Sequence, residues 1–351
     1  MNRVAACRLR DAGETIAREL RRRGAGEPFS VTVPFPRLEL EMLLAGLDRG
    51  PAACWMPPDG DALLGWGEAL ITGGAGDDAP RLREAVAGPA IRHPGVPAPP
   101  PLWLGGAPFD PERPSGPPWE ELDGPRFTLP RWLYRRPPEG PATLTLFATA
   151  LDGPGNRDAA LGDQLPALMD LPERAAGWVA GTGSAIAPRI AQLSPEPWEP
   201  LVERALAAIE AGELDKVVLA RRAEVRDEAG FAPASILRAL GDEAPESTRF
   251  AFRRGSTVFV GASPERLLLR RGLHVRTEAM AGTRALGPGR DPAELERELL
   301  ASEKDRAEHE WVRRGVVEAL APCCASLHAD ERPRVRRLRH VVHLVTGIEG
   351  D

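Results

Sequence analysis

Proline placement is the sequence feature that most constrains how this chain can fold. Residues 1 to about 190 are rich in proline and glycine, as in PGVPAPPPLWLGGAPFDPERPSGPP. Proline lacks a backbone N–H and clashes with the preceding helical turn, so these prolines mark loops and predict no long helices in this half. The runs FSVTVPF and TLTLFATAL between them have the β-branched and aromatic character of strands. We therefore expect a sheet-rich N-terminal half, residues 1–190.

The chain changes character from about residue 195. WEPLVERALAAIEAGE predicts a helix that Gly212 ends, and Val217 to Ala220 predict a strand. A long helix is predicted from near Pro292 to about Leu320, and further strands are predicted at FAF, TVFVGA, RLLLR, LHVRT and HVVHLVTGI. Adjacent strands with short turns and long helices among them predict a mixed α/β (α+β) fold. Its large, layered sheets should be mainly antiparallel, with helices packed outside.

Composition argues against several kinds of partner. The 351 residues have a formal net charge of −6, with scattered basic residues, so we expect no nucleic acid partner. No apolar run approaches the roughly 20 residues of a membrane span, so we expect no membrane association. The glycine-rich stretches ITGGAGDD and VAGTGSAIAP lack the Gly-Lys-Ser/Thr of a phosphate loop and are predicted to be ordinary loops. The cysteines show neither metal spacing nor a disulfide framework and suit the reducing cytoplasm; they are Cys7, Cys54, Cys323 and Cys324.

Three motifs of the second half carry candidate chemistry. GELDKVVLARR places Lys216 before an apolar run, either as a solvated edge lysine or as a desolvated, neutral general base. GASPERL predicts a turn at Ser263–Pro264 that presents Glu265, either as a solvated charge or as an acid. TEAMAGTR predicts a second turn, where Gly282 and Thr283 either point backbone N–H groups at an anion or form an ordinary tight turn. From the residues alone, both interpretations of each motif stay open.

The predicted long helix places a carboxylate on its apolar stripe. Counted by four, one face carries Leu300, Lys304, Glu308, Val312 and Val316. If Glu308 is buried it needs a cation, and the candidates are Lys304, an arginine from elsewhere or a hard metal ion such as Mg²⁺. His309 and His343 lack the spacing of zinc ligands and are predicted to be core or hydrogen-bonding histidines.

Together, these motifs resemble one enzyme family. KVVLARR, GASPERL, TEAMAGTR, ASEKDRAEH and HVVHLVTGIEG occur in the order, and at about the spacing, found in the chorismate-utilising enzymes, especially isochorismate synthases of the menaquinone type. The resemblance is strong from about residue 195 onwards. It is weaker before that, where CWMPPDGDALLGWGEA and LWLGGAPFDPERP are the similar stretches. It implies the chorismate-binding enzyme fold, with residues 195–351 as the chorismate-binding region.

The resemblance also implies a role for each candidate residue. Lys216 matches the general base that activates water for attack at C2 of chorismate, and Glu265 matches the general acid that protonates the departing C4 hydroxyl. Glu308 matches a ligand of the Mg²⁺ cofactor, which holds the ring carboxylate of the substrate. The implied function is isochorismate synthase, an isomerase whose partner is the small molecule chorismate. The residues assigned to substrate binding are Gly282, Thr283 and His343.

Two positions favour water over ammonia as the nucleophile. At the position that Lys216 matches, anthranilate synthases, which use ammonia, carry a glutamine. At the position that Ala281 matches, one group of aminodeoxychorismate synthases carries a nucleophilic lysine. Salicylate synthase, which keeps the lysine and adds a pyruvate elimination, is the alternative. The pathway, menaquinone or siderophore biosynthesis, stays open.

The family pattern continues past the position that Asp351 matches. The resemblance therefore implies a sheet and a site that are incomplete at the C-terminus, with HVVHLVTGI lacking a neighbouring strand. Two further hypotheses follow from it. Either a separate chain supplies the missing segment, or the chain is a non-catalytic truncated remnant of the family.

Overall fold

The structure is a computed structural model, and its described part consists of residues 3–47, 50–73, 79–110, 112, 116–176, 189–193, 197–227, 230–287 and 289–351. Its α-helices are α1 Arg3–Arg22, α2 Leu40–Gly46, α3 Ala79–Ala85, α4 Pro154–Ala159, α5 Leu165–Ala176, α6 Trp198–Glu210, α7 Pro233–Glu243, α8 Pro292–Ala301 and α9 Glu303–Leu320. Its strands are β1 Phe29–Phe35, β2 Ala52–Met56, β3 Ala62–Thr72, β4 Ala90–Arg92, β5 Leu104–Gly106, β6 Arg126–Arg136, β7 Ala142–Ala148, β8 Arg189–Leu193, β9 Ala223–Arg226, β10 Thr248–Arg254, β11 Thr257–Ser263, β12 Leu269–Arg271, β13 His274–Ala285, β14 Leu327–Ala329, β15 Arg334–Arg337 and β16 Val341–Gly350.

A nine-stranded sheet forms the larger layer. Its strand order is β11-β10-β2-β3-β6-β7-β1-β4, with β5 beside β6, and its pairings are antiparallel except for β1 with β4. Trp132 and Tyr134 of β6 are fully buried in one cluster with residues of α1, α2, α5 and α7. Leu133, between them in the strand, joins a second cluster on the opposite face. The prediction of a large, mainly antiparallel sheet with helices packed outside is confirmed.

A five-stranded sheet forms the smaller layer and carries three of the candidate residues, Gly282, Thr283 and His343. Its order is β12-β13-β16-β14, with β15 also beside β16. The apolar run HVVHLVTGI becomes β16, which pairs with β13 on one side and with β14 and β15 on the other. The expectation that this strand lacks a neighbour is therefore wrong. The run is an inner strand because the segment between α9 and β16 folds back to pair with it.

Two helices differ from their sequence predictions. α1 is 20 residues long, in the half where the prolines predict no long helix, because it precedes the first proline, Pro28. The single helix predicted from near Pro292 to Leu320 is two helices. Ser302 has an extended backbone (φ −68°, ψ 114°), and its hydroxyl accepts a hydrogen bond from the Asp305 N–H. Ser302 therefore ends α8 and caps α9, a role for which serine is well suited.

The division into residues 1–190 and 195–351 remains a prediction. The nine-stranded sheet draws β10 and β11 from beyond residue 195, so it spans both predicted regions. The predicted loop VAGTGSAIAP lies outside the described residues, as does most of ITGGAGDD. In the part of the chain that is described, no helix has both the length and the apolar character needed to cross a bilayer.

Candidate functional site

Lys216 lies in an extended segment that follows α6. Gly212 has a φ of +71°, which ends the helix and redirects the chain, as its sequence predicts. The predicted strand Val217–Ala220 is wrong, because these residues pair with no strand in the described part and the Val218 side chain is 80% exposed. Lys216 is half-buried, and its Nζ lies 3.5 Å from Glu308 Oε1. Lys216 therefore faces an acidic partner, and its role as a base remains a prediction.

Glu308 is half-exposed on α9 rather than buried on its apolar stripe. The buried residues of α9 are Asp305 and His309, and Leu300 at the start of the predicted stripe is exposed. Lys304, Glu308, Val312 and Val316 all lie within α9, and the face that packs inward is offset by one residue from this stripe, at Asp305 and His309. The partner of Glu308 is Lys216, a cation that was not among the candidates for it. The structure thus joins two candidate residues that lie far apart in the sequence.

Glu265 follows the end of β11, in the turn that leads to the smaller sheet. Its backbone N–H donates to Ser263 Oγ over 3.2 Å. The turn is held further along by Thr277 of β13, whose hydroxyl donates to the carbonyl of Leu267 over 2.6 Å. The side chain of Glu265 is exposed, and none of its contacts within the described residues is a hydrogen bond or an ion pair. An anchored backbone therefore presents a free carboxylate.

Gly282 forms a β-bulge inside β13, not the predicted turn. The register with β16 shifts between Ala281 and Thr283, and Gly282 has a φ of +82°. A Cβ built at Gly282 would lie 3.2 Å from the Asp305 Cβ and 3.3 Å from a Leu344 methyl, so strand and helix meet there closely. The bulge re-aims the residue that follows it, as bulges beside functional sites do.

Thr283 and His343 are brought together by the pairing of β13 with β16. They are cross-strand partners, and Thr283 Oγ1 lies 2.8 Å from His343 Nδ1. Val342 and Leu344 pack against α8, so alternation along the strand places His343 on the other face of the sheet. Partial burial lowers the pKa of His343, and the nearby Arg336 lowers it further. The imidazole is therefore neutral at physiological pH and free to accept or donate a hydrogen bond.

An ion pair that the sequence analysis missed lies on the same face. Arg336 of β15 is the cross-strand partner of His343, and it donates to both oxygens of Glu278 at 2.5 Å. Its Nη1 also lies 3.5 Å from the carbonyl oxygen of Pro264. Glu278 is within the quoted motif TEAMAGTR, but Arg336 is in no motif and is 58 residues away. No spacing rule for sequence would have paired them.

The face of the smaller sheet that α8 and α9 cover carries two polar groups of its own, an Arg284–Asp305 ion pair and the imidazole of His309. Arg284 pairs with Asp305, and although burial alone raises the pKa of Asp305, hydrogen bonds from Ser302 and Arg284 and the Arg284 charge lower it overall. His309 Nδ1 lies 3.2 Å from the Ala281 carbonyl and its Nε2 lies 2.7 Å from the Thr346 hydroxyl. Burial lowers the pKa of His309, so the neutral ring donates from Nδ1 and accepts at Nε2. His309 is thus a buried hydrogen-bonding histidine, as predicted.

The candidate residues form two clusters. One is Lys216 with Glu308, and the other gathers around His343 on the face away from α8. In residues 197–227, 230–287 and 289–351, no hydrogen bond or ion pair joins the two. No group of three or more histidine, cysteine or acidic side chains gathers as a metal site in the described chain. The roles assigned to these residues therefore remain predictions.

Comparison with known proteins identifies related sequences. The family model described as "Chorismate binding enzyme" matches residues 19–351. The isochorismate synthase of salicylate biosynthesis from Pseudomonas aeruginosa is 32% identical over 315 residues, which cover 85% of this chain and 62% of that protein. The isochorismate synthase MenF of Bacillus subtilis is 29% identical over 256 residues, which cover 71% of this chain and 52% of that protein. The chain thus spans between half and two thirds of the length of these relatives.

Solved structures share the fold. The menaquinone-specific isochorismate synthase MenF of Escherichia coli superposes with a TM-score of 0.72 at 25% identity, covering 98% of this chain and 76% of that one. The protein described as a 2,3-dihydroxybenzoate-specific isochorismate synthase, DhbC of Bacillus anthracis, gives a TM-score of 0.57 at 22% identity and supports the fold alone.

Proposed function

Because this chain belongs to the family of chorismate binding enzymes, we propose that it converts chorismate to isochorismate. In this reaction water adds at C2, both ring double bonds shift (C1=C2 and C5=C6 become C1=C6 and C4=C5), and the hydroxyl at C4 leaves as water, so one water enters and one departs. The observation that carries the proposal is the meeting of Lys216 and Glu308 at 3.5 Å. A base and a carboxylate from separate motifs, held side by side, suit an isomerase that activates water beside an anionic substrate.

Lys216 is the proposed general base at C2. Its amine must be neutral to accept a proton from water, and in the structure its Nζ faces the Glu308 carboxylate at 3.5 Å. Turnover therefore requires Glu308 to exchange Lys216 for another partner. The half-exposed position of both side chains permits that exchange, because no buried charge is left unpaired when the ion pair opens.

A magnesium ion suits the donor that Glu308 provides. Mg²⁺ is often held by only one or two carboxylates, with waters and substrate oxygens as its other ligands. Glu308 supplies one half-exposed carboxylate, which fits such a site without a cage of protein ligands. When bound, the ion would neutralise the ring carboxylate of chorismate and orient the ring. Glu308 is the residue that would hold the ion, and separation of its carboxylate from Lys216 would leave the amine free to act on water.

Glu265 is the proposed general acid at C4. Its backbone is held on both sides, by Ser263 and by Thr277, while its carboxyl group is free of protein partners in the described part of the chain. That combination suits a group that must meet a leaving hydroxyl at a fixed position. Thr283 and the neutral His343, which lie 2.8 Å apart, are the proposed hydrogen-bonding partners of the substrate, with the Gly282 bulge setting their position.

The test is to incubate the chain with chorismate and Mg²⁺, without ammonia, and to separate the products by chromatography. Isochorismate as the product supports the proposal. Salicylate with pyruvate would establish the salicylate synthase alternative, and anthranilate in the presence of ammonia would overturn the assignment of water as nucleophile. A chain that leaves chorismate unchanged is not an isochorismate synthase under these conditions, and the catalytic proposal then fails.

The metal assignment has a separate readout. Binding of Mn²⁺, which prefers the same oxygen ligands as Mg²⁺ and is paramagnetic, should broaden the NMR signals of α9 around Glu308. Glu308→Gln should remove the broadening, whereas the matched variant Glu318→Gln, on an exposed turn of the same helix, should keep it. Broadening that survives in Glu308→Gln would place the ion elsewhere.

A further inference from the structure

The ion pair of Glu278 with Arg336 has a geometry that an ordinary surface pair lacks. It is bidentate, with both N···O distances at 2.5 Å, and the side chain of Glu278 is largely buried. Its members come from β13 and β15, which do not pair with each other, so the ion pair spans β16 between them. Bidentate arginine–carboxylate pairs fix orientation as well as charge. This pair therefore locks one Arg336 rotamer above the face that carries His343.

The locked arginine reaches the turn that presents Glu265. Arg336 Nη1 lies 3.5 Å from the Pro264 carbonyl, directly before Glu265 in the chain. On the other side of the turn, Thr277 holds the carbonyl of Leu267 at 2.6 Å. The turn is therefore held at two carbonyls by the smaller sheet, although it begins at the edge strand β11 of the larger sheet. The ion pair is the part of this arrangement that connects the turn to the His343 face.

We infer that Glu278 and Arg336 are positioning residues that hold the Pro264–Glu265 turn in register with Thr283 and His343. They act through Glu265 and touch no reacting atom. This inference rests on the proposed function for its effect on turnover, and on the described contacts alone for its effect on the turn. Without Glu278, Arg336 loses its fixed rotamer and its contact with the Pro264 carbonyl, so Glu265 drifts from the substrate.

The first experiment measures the turn and needs no activity. In Glu278→Gln, the NMR order parameter of the Glu265 amide should fall from about 0.85 to about 0.6. The matched control is Glu349→Gln, which breaks the exposed Arg276–Glu349 pair of the same sheet and should leave Glu265 unchanged. A double variant, Glu278→Gln with Arg336→Met, removes both charges, leaves none unpaired and should loosen the turn equally. If the order parameter of Glu265 is unchanged in both variants, the inference is overturned.

The second experiment measures turnover in a double-variant cycle. Glu278→Gln should lower kcat about 10- to 100-fold and leave KM for chorismate within about twofold, because misplacing a reacting group costs rate more than binding. In a Glu265→Gln background the same change should have no further effect on kcat. A purely structural role predicts the opposite, an equal loss of kcat in both backgrounds, and that result would overturn the inference.

The two proposals fail in distinguishable ways. If the parent chain makes no isochorismate but Glu265 loosens only when the ion pair is removed, the proposed function fails and the positioning of the turn stands. If the parent chain is active and Glu265 stays rigid in Glu278→Gln, the function stands and the positioning role fails.

Discussion

The region around the nine-stranded sheet and the region around Lys216 and Glu308 differ in how far their charged and apolar side chains are exposed. In the nine-stranded sheet, Arg131 and Asp152 form a buried ion pair at 2.5 Å, and Trp132 beside them is 1% exposed. In the second half, the Lys216–Glu308 pair is half-exposed, and apolar side chains such as Val218 and Leu267, at 80% and 94% exposure, face outward. The first region is fixed by burial. The second exposes the Lys216–Glu308 pair and these apolar side chains, although it also contains the largely buried Glu278–Arg336 pair.

The largest expected effect is the loss of activity when Lys216 is replaced. We expect Lys216→Met to lower kcat/KM for chorismate about 10²- to 10⁴-fold, the usual contribution of a general base. The free energy of unfolding should change by less than about 1 kcal/mol, because the lost ion pair is half-exposed. The matched control is the other lysine of the chain, Lys304, which is exposed on α9. Lys304→Met should retain the activity of the parent chain, and equal losses in the two variants would contradict the role of Lys216.

A second contrast compares two tryptophans. Trp132 is buried in the nine-stranded sheet, and its indole N–H donates to Gln164 over 2.8 Å. Trp132→Ala should cost about 3–5 kcal/mol of unfolding free energy through lost burial and the cavity left behind. Trp311 on α9 is 39% exposed and stacks under Arg314, so Trp311→Ala should cost less than about 1.5 kcal/mol. Urea unfolding of both variants measures the difference, and similar costs would show that the two regions are equally well packed.

Much of the fold could be predicted from the sequence because its signals are local. The runs that become β1, β7, β10, β11 and β16 alternate or are mostly apolar, and proline, glycine or polar residues border them. Gly212 ends α6 through its backbone freedom, which depends on no distant residue. The prediction of a strand at Val217–Ala220 was wrong because strand formation depends on a distant partner. An apolar run becomes a strand only when another strand pairs with it, and pairing is not encoded in the run.

In the candidate site, too, local motifs identify individual residues but not the distant residues that they contact. Within the quoted motifs, Lys216, Glu265 and Glu308 could be selected as chemically useful residues, and the matched family model confirms the family that the motifs indicated. Their partners could not be selected. Arg336 meets Glu278 only because β13 and β15 flank β16, and Lys216 meets Glu308 only because the chain after α6 passes α9. Glu308 was predicted on the packed face, but that face centres on Asp305 and His309, which a stripe counted by four from Leu300 does not include.

A third contrast compares two glycines with positive φ. Gly282, in the bulge, has a φ of +82° and is enclosed by Asp305 and Leu344, whereas Gly272, in the turn between β12 and β13, has a φ of +64° and open space around it. Gly282→Ala should cost about 2–4 kcal/mol, since backbone strain and crowding add, and Gly272→Ala only about 1–2 kcal/mol from strain alone. Thermal unfolding measures both. Equal costs would mean that α9 can move away from the bulge, and that the bulge is not held by its packing.

The smallest effect is a difference in how the two regions respond to acid. Burial lowers the pKa of His309 in the folded chain, so the unfolded chain binds a proton there first. Its contribution to stability is therefore complete above about pH 6.5 and declines as the pH falls below that value. His343, whose pKa is lowered by burial and by Arg336, contributes with the same sign. The second region should accordingly lose stability between about pH 6.5 and pH 5, before carboxylates protonate.

The nine-stranded sheet should respond only at lower pH. Burial alone would raise the pKa of Asp152, but the hydrogen bonds and charge of Arg131 outweigh it and lower the pKa overall. Its stabilisation is present above about pH 4, the ordinary value for an aspartate, and is lost as the pH falls through the lower folded value. Urea midpoints measured across this range should fall in two stages. His309→Gln should weaken the upper stage and leave the lower one, whereas Asp152→Asn should weaken only the lower stage, to which Asp305 also contributes. If the upper stage keeps its full size in His309→Gln, it arises from His343 or another group. The difference in acid response between the two regions would then not depend on the burial of His309.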